Sequence, residues 1–185
     1  MLINETLNAI IVLSLLSVVT LCAVTDILDN LIPNTVLLPA LLLAFVCHSL
    51  MAGLPGFTDC LLGLLLGLAI LFPFYLTGGT SAGDVKLLGV VGALLGVDGA
   101  LAAGLATLVF GGAIGVLFIT WRLIKPILMM YTARLFQLSG ATGPSLIPTP
   151  TAAASSKTYF PYAPAILCGT YYSLWHLGYL SQVTV

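Results

Sequence analysis

The stretch Thr6–Thr25, TLNAIIVLSLLSVVTLCAVT, contains no charged residue and is followed at once by Asp26. A helix needs about 20 consecutive apolar residues to cross the hydrocarbon core of a bilayer. The stretch therefore predicts a membrane-spanning helix that ends at a carboxylate.

The rest of the sequence repeats this pattern. Hydrophobic residues make up 60% of the 185 residues and charged residues only 6%, whereas soluble domains carry roughly 25% charge. This composition excludes a soluble or a disordered chain, and the lack of a basic patch argues against nucleic acid as a partner. We predict an all-α polytopic membrane protein, a single domain over residues 1–185 with about six transmembrane helices, the fourth of them short. The apolar segments are 6–25, 35–53, 59–76, 85–97, 99–121 and 160–180.

The basic residues predict the orientation of these helices. With six spans, the loops 26–34, 77–85 and 122–159 share one side of the membrane, and every Lys and Arg lies in or beside them. These residues are Lys86, Arg122, Lys125, Arg134 and Lys157, whereas Glu5, Asp59 and Asp98 fall on the opposite side. Because cytoplasmic loops are enriched in Lys and Arg, we expect this side to be cytoplasmic and both termini to lie outside.

The long cytoplasmic loop 122–159 has two parts of different composition. Residues 122–138 mix apolar and basic side chains and predict a helix lying along the membrane interface. Residues 139–158 are rich in Ser, Thr, Ala, Gly and Pro, which predicts a flexible linker.

Glycine spacing predicts close helix packing, and the Cys and His residues predict no metal site. The pairs Gly63/Gly67, Gly92/Gly96 and Gly111/Gly115 are each four residues apart, a spacing that lets helix backbones approach in lipid. Cys22, Cys47, Cys60 and Cys168 form no CxxC pair, and His48 and His176 stand alone in apolar segments. Buried packing is the expected role of these side chains.

Asp26 and Asp84 are the candidate catalytic residues. Both lie at helix ends on the predicted cytoplasmic side, and a carboxylate near the membrane needs a partner or water. Two carboxylates held close share a proton and can activate a water between them. The alternative is that Asp26 and Asp29 are boundary charges or helix caps and that Asp84 pairs with Lys86. Asp29 is the weaker catalytic candidate because it would lie further into the loop.

These residues also carry a family resemblance. The chain resembles the type IV prepilin peptidases, membrane aspartic proteases of the GXGD class, in three places spread from residue 26 to residue 166. Asp26 is followed by Ile32-Pro33-Asn34; Ser81-Ala82-Gly83-Asp84-Val85-Lys86-Leu87 matches the GXGD motif; and Pro161-Tyr162 opens the last apolar segment. Ser81 stands where that motif has its first glycine.

The resemblance implies an endopeptidase that uses Asp26 and Asp84 and needs no metal or other cofactor. Its substrates would be pilin or pseudopilin precursors, cut at the cytoplasmic face of the inner membrane between a short basic leader and an apolar helix. Lys86 would orient Asp84, hold an acidic group of the substrate or extend to the interface. Because no paired CxxC motifs of an N-terminal methyltransferase domain are present, the chain resembles the short Tad/Flp-type branch or a minimal archaeal-like peptidase, and no methylation is expected from it. Pilus-assembly components are further expected partners.

Two other function classes fit the same residues. A proton- or Na⁺-coupled transporter or channel subunit would use Asp26 and Asp84 to bind its ion. A non-catalytic assembly protein of a pilus or secretion apparatus would use them as helix caps. Cleavage of a prepilin by the wild type, and its loss in single Asp→Asn variants, separates the peptidase from both alternatives.

Overall fold

A computed structural model describes residues 2–29, 31–138 and 162–178. These residues form helices, and no strand occurs within the described ranges. The helices are α1 (Leu2–Asp29), α2 (Asn34–Ala52), α3 (Leu54–Leu76), α4 (Ala82–Leu138) and α5 (Ala163–His176). The predicted all-α fold is confirmed.

Four of these helices are long and apolar enough to cross a membrane. Their apolar windows are Asn4–Asp29, Asn34–Ala52, Leu54–Leu76 and Ala82–Thr132. Many large apolar side chains on these helices are exposed, including 66% of Leu42 and 71% of Val109. Exposure to water costs about 25 cal/mol per Å² of apolar surface, whereas lipid chains cover the same surface without that cost. The chain is an integral membrane protein.

The chain divides into two compact units. The first contains residues 1–112 and 160–185, and the second contains residues 113–159. The described part of the second unit is 113–138, the C-terminal portion of α4. The segment 122–138 is helical, and its position along the membrane interface stays a prediction. The predicted linker 139–158 lies outside the described residues.

The helices of the first unit pack side by side through short connections. α1 packs against α2 and α5, and α2 packs against α3. Gly53 alone joins α2 to α3, and such short connections make neighbouring helices antiparallel. The end of α1 and the starts of α2, α4 and α5 therefore share one end of the unit. We call it the aspartate end, because it carries Asp26 and Asp84.

Helix α4 is broken at Gly96, at the opposite end of the unit. Gly96 has φ 71° and ψ −172°, a non-helical conformation that strongly favours glycine. Asp59 on α3 stabilises the break, because its Oδ1 accepts a hydrogen bond from the Val97 backbone N–H at 3.2 Å. His48 on α2 places its Nε2 3.1 Å from the carbonyl oxygen of Leu94. Side chains thus satisfy backbone groups that the break removes from the helical pattern.

The break lies beside the predicted boundary between segments 85–97 and 99–121. The sequence predicted two separate helices here, and the break at Gly96 divides α4 into two helical parts at this point. The predicted final segment, 160–180, corresponds to α5, which has 14 residues and is too short to count among the four candidate spans.

Glycines bring α3 and the first part of α4 into backbone contact. A β-carbon added at Gly63 would collide with the carbonyl oxygen of Gly92, and one added at Gly92 would collide with that of Gly63. A β-carbon at Gly67 would similarly meet the carbonyl of Leu88. Close backbone approach of this kind is what small residues permit in membrane helices.

The second part of α4 packs against α5 in a similar way. Gly169 of α5 lies against the backbone and hydroxyl of Thr107 and the carbonyl oxygen of Ala103. The Ser173 hydroxyl donates to the carbonyl oxygen of Gly99 at 3.4 Å. With α1 also packed against α5, the start of α5 is brought beside the end of α1.

Replacing Gly63 by Ala tests the close contact between α3 and α4. We expect Gly63→Ala to lower the free energy of unfolding by about 1–3 kcal/mol, because the added methyl group overpacks a backbone contact. Thermal unfolding in detergent micelles measures the change. Gly112→Ala is the matched control, since a β-carbon at Gly112 meets nothing within 4 Å. An equal loss of stability in both variants would contradict the close packing.

Candidate active site

Asp84 lies in the first turn of α4 and forms a reciprocal pair of hydrogen bonds with Ser81. The Ser81 N–H donates to Asp84 Oδ2 at 2.9 Å, and the Asp84 N–H donates to Ser81 Oγ at 3.2 Å. Ser81 is the N-cap of the helix and Asp84 the third helical residue, so the pair is a capping box with aspartate as its acidic member. It fixes the Asp84 carboxylate at the positive end of the α4 dipole.

The other oxygen of Asp84 has a different environment. Asp84 is 1% exposed, and its Oδ1 is buried without a hydrogen-bond partner among the described residues. The hydroxyl of Thr80, in the same turn, is also buried and unpaired there. Buried polar atoms without partners are costly. A water molecule or a peptide group in this turn would supply the missing bonds, and Oδ1 is the atom of Asp84 available to it.

Asp26 lies in the last turn of α1 and is tied to the start of α5. It is 6% exposed, and its Oδ2 accepts a hydrogen bond from the Ala163 N–H at 3.1 Å. Ala163 is the first residue of α5, so the Asp26 carboxylate satisfies one of the N–H groups that a helix start leaves without an intrahelical partner. Asp29, one turn further along α1, is exposed.

The structure brings the carboxylates of Asp26 and Asp84 within electrostatic range of each other, although they come from different helices. Tyr162, the residue before α5, is buried and lies within electrostatic range of Asp84. Burial raises the pKa of the Tyr162 hydroxyl, and negative charge on Asp84 raises it further. The phenol is therefore a neutral proton donor within electrostatic range of Asp84.

Tyr162 also connects the site to the later part of α4. Its ring and hydroxyl lie against Gly111, where an added β-carbon would collide with them. Gly115, the predicted partner of Gly111, meets nothing within 4 Å. The pair 111/115 thus differs from the two pairs packed between α3 and α4, because Gly111 accommodates an aromatic ring instead of a helix.

The connection between α1 and α2 packs on the turn that carries Asp84. A β-carbon added at Gly83 would lie 3.1 Å from Cβ of Ile32, a distance that leaves little room for a larger side chain. Pro33 is the N-cap of α2, and its carbonyl accepts the N–H of Val36 at 3.1 Å. Asn34 begins α2 and is exposed. Residues 32–34 therefore place the start of α2 next to the turn that carries Asp84.

Lys86 is not brought into this cluster by any contact of the described residues. Lys86 is exposed, and the side-chain hydrogen bonds of Asp84 are made with Ser81. The alternative in which Lys86 orients Asp84 as an ion pair thus finds no contact in the described part of the chain. Pro161 lies outside the described residues.

Two contacts of this site were not predicted from the sequence. Ser81 was interpreted only as a small residue in place of glycine, although Ser81-x-x-Asp84 is a capping-box pattern. No local pattern indicates the Ala163 N–H as the partner of Asp26. That bond joins residues 137 positions apart, and it depends on how α1 and α5 pack.

Comparison with known proteins identifies a family. The model of the type IV leader peptidase family matches residues 13–116, more than half of the chain and a range that includes Asp26 and Asp84. Tyr162 lies beyond the match. No curated protein and no solved structure matches the chain.

The role of Asp26 as a cap of α5 gives a prediction about stability. Asp26→Ala removes the acceptor of the Ala163 N–H and should lower the free energy of unfolding by about 1 kcal/mol, as for other lost caps. Asp26→Asn keeps a side-chain oxygen that can accept this bond and should lose less. Thermal unfolding in micelles compares the two, with Asp29→Ala as the exposed control. A loss in Asp29→Ala as large as that in Asp26→Ala would contradict the assignment.

Proposed function

The chain belongs to the type IV leader peptidase family, and on this ground we propose that it is an aspartic endopeptidase in which Asp26 and Asp84 form the catalytic pair. Its substrates are precursors of pilin or pseudopilin type. The observation that carries the proposal is that two buried carboxylates from separate helices lie within electrostatic range of each other. Oδ1 of Asp84 is buried and has no hydrogen-bond partner among the described residues, so it is the oxygen that can act on a water or a peptide.

Each carboxylate is oriented by a backbone N–H, which leaves one oxygen per residue for the reaction. Asp26 uses Oδ2 for the Ala163 N–H, and Asp84 uses Oδ2 for the Ser81 N–H. Fixed side chains of this kind lower the cost of assembling the reacting geometry. The pair holds one proton, and that proton belongs to the pair rather than to either residue.

The pair can carry out peptide hydrolysis with water as the only co-reactant. The ionised carboxylate takes a proton from water while the water oxygen bonds to the peptide carbonyl carbon, and the protonated carboxyl gives its proton to the carbonyl oxygen. The resulting tetrahedral intermediate collapses when the C–N bond breaks: the newly protonated carboxyl gives its proton to the leaving nitrogen, and the other, now ionised, carboxylate takes the proton of one hydroxyl, which returns the pair to its one-proton state. The products are a free carboxylate on the leader and a free amine on the apolar helix.

The position of the pair at helix ends fits the expected substrate. A precursor with a basic leader and an apolar helix places its scissile bond at the membrane boundary, with the helix in lipid. Asp26 ends α1 and Asp84 begins α4, so both lie at such a boundary. We place the aspartate end at the cytoplasmic face, because the basic residues of the sequence cluster in the loops on that side. This orientation puts both chain termini outside.

Cleavage of a precursor in detergent micelles tests the proposal. The substrate is a prepilin-like protein with a short basic leader that ends in Gly, and its mobility shift on a gel reports cleavage. Asp26→Asn and Asp84→Asn should each lower the rate by about 10²-fold or more, the usual contribution of a general acid or base.

Asp29→Asn is the matched control, because it makes the same chemical change at an exposed position near the end of α1. It should retain most of the wild-type activity. Wild-type cleavage in either buried-aspartate variant would exclude that residue from catalysis. Failure of the wild type to cut any pilin-like precursor would instead favour the ion-binding and assembly alternatives.

A further inference from the structure

Ser81 stands where the GXGD motif has its first glycine, and its hydroxyl makes a hydrogen bond with Asp84 that glycine cannot make. The Ser81 N–H that binds Asp84 Oδ2 would be present with either residue. The hydroxyl, however, accepts the Asp84 N–H at 3.2 Å, and a glycine has no acceptor to offer. A glycine would therefore lack the contacts that the Ser81 hydroxyl makes with the backbone and the carboxylate of Asp84.

This bond is one of two reciprocal hydrogen bonds between Ser81 and Asp84. In the first, the Ser81 N–H donates to the Asp84 carboxylate; in the second, the Asp84 N–H donates to the Ser81 hydroxyl. The first intrahelical bond, from the Val85 N–H to the Ser81 carbonyl, spans 3.4 Å. Together the contacts fix both the backbone and the side chain of Asp84, so that Oδ2 is engaged and Oδ1 is left free.

Contacts from other parts of the chain confine the same turn. Ile32 packs against Gly83 on one side. Asp26 and Tyr162 are the titratable groups within electrostatic range of Asp84. Because Asp26 is held separately by Ala163, any loosening of the Ser81 turn moves one carboxylate of the pair without moving the other.

We propose that Ser81 is a positioning residue, whose hydroxyl holds Asp84 in the orientation that engages Oδ2 and leaves Oδ1 without a hydrogen-bond partner among the described residues. The proposal rests on the peptidase function proposed above. Ser81 touches neither the water nor the peptide and acts only through Asp84. Its loss should therefore lower kcat and leave KM unchanged, because substrate binding does not depend on it.

Ser81→Gly is the decisive variant, because it restores the motif residue and keeps the N–H that binds Oδ2. Glycine at an N-cap costs only a few tenths of a kcal/mol in stability, so folding is retained. We expect kcat for prepilin-like substrate to fall about tenfold, since small misplacements of catalytic groups have large effects. Ser81→Thr supplies an equivalent hydroxyl and should restore kcat. Ser81→Ala should resemble Ser81→Gly in kcat.

Hydrogen exchange provides a readout that does not depend on activity. In protein labelled with ¹⁵N-aspartate, the Asp84 amide should exchange faster in Ser81→Gly than in the wild type and Ser81→Thr, because its acceptor is gone. Unchanged exchange would overturn the contact. Faster exchange with unchanged kcat would overturn the positioning role.

The failure of this proposal is distinguishable from failure of the peptidase proposal. If Asp84→Asn abolishes cleavage while Ser81→Gly keeps the wild-type kcat, only the role of Ser81 is wrong. If Asp84→Asn cleaves normally, the catalytic pair is wrong and Ser81 has no catalytic group to position.

Discussion

A carboxylate buried in an apolar helical bundle must find hydrogen-bond donors, and in this protein the donors are backbone N–H groups where helices begin. Asp84 binds the N-cap residue of its own helix, and Asp26 binds the first residue of α5. Asp59 binds Val97 directly after the break in α4. Helix starts have unpaired N–H groups and a positive partial charge, which makes them the places where such a bundle can hold acids.

This constraint also explains why the catalytic candidates lie where they do. Helix starts occur at the ends of membrane spans, so acids that need them are kept at the boundary and away from the centre of the bilayer. Glycine contacts then bring these helix ends together. Gly63 and Gly67 allow α3 to pack closely on α4, and Gly169 allows α5 to pack closely on α4. The short α1–α2 connection adds Ile32 against Gly83. The pair of aspartates is thus a consequence of helix packing among the described residues.

Much of this arrangement could be predicted from the sequence, because helices that face lipid must be apolar along their whole length and are therefore easy to locate. Charge-free segments mark helices, and the spacing of Gly63/Gly67 and Gly92/Gly96 marks the helix faces that touch. The choice between Asp26 and Asp29 followed from their distance to the apolar segment, and the structure buries the first and exposes the second. The hydrogen bonds that hold the two aspartates at helix starts were harder to predict. The Ser81–Asp84 box is local and readable in principle, whereas the Asp26–Ala163 bond depends on tertiary packing that no local pattern encodes.

The central claim is that Asp26 and Asp84 act as one catalytic unit, and the double variant Asp26→Asn/Asp84→Asn tests it most directly. Residues that work as a unit have non-additive effects, because losing either one already removes the function of both. Cleavage of a prepilin-like precursor should be measured at excess enzyme over long times for the wild type, both single variants and the double variant. The account predicts that the double variant is no slower than the slower single variant. A rate loss in the double variant equal to the product of the two single losses would contradict it.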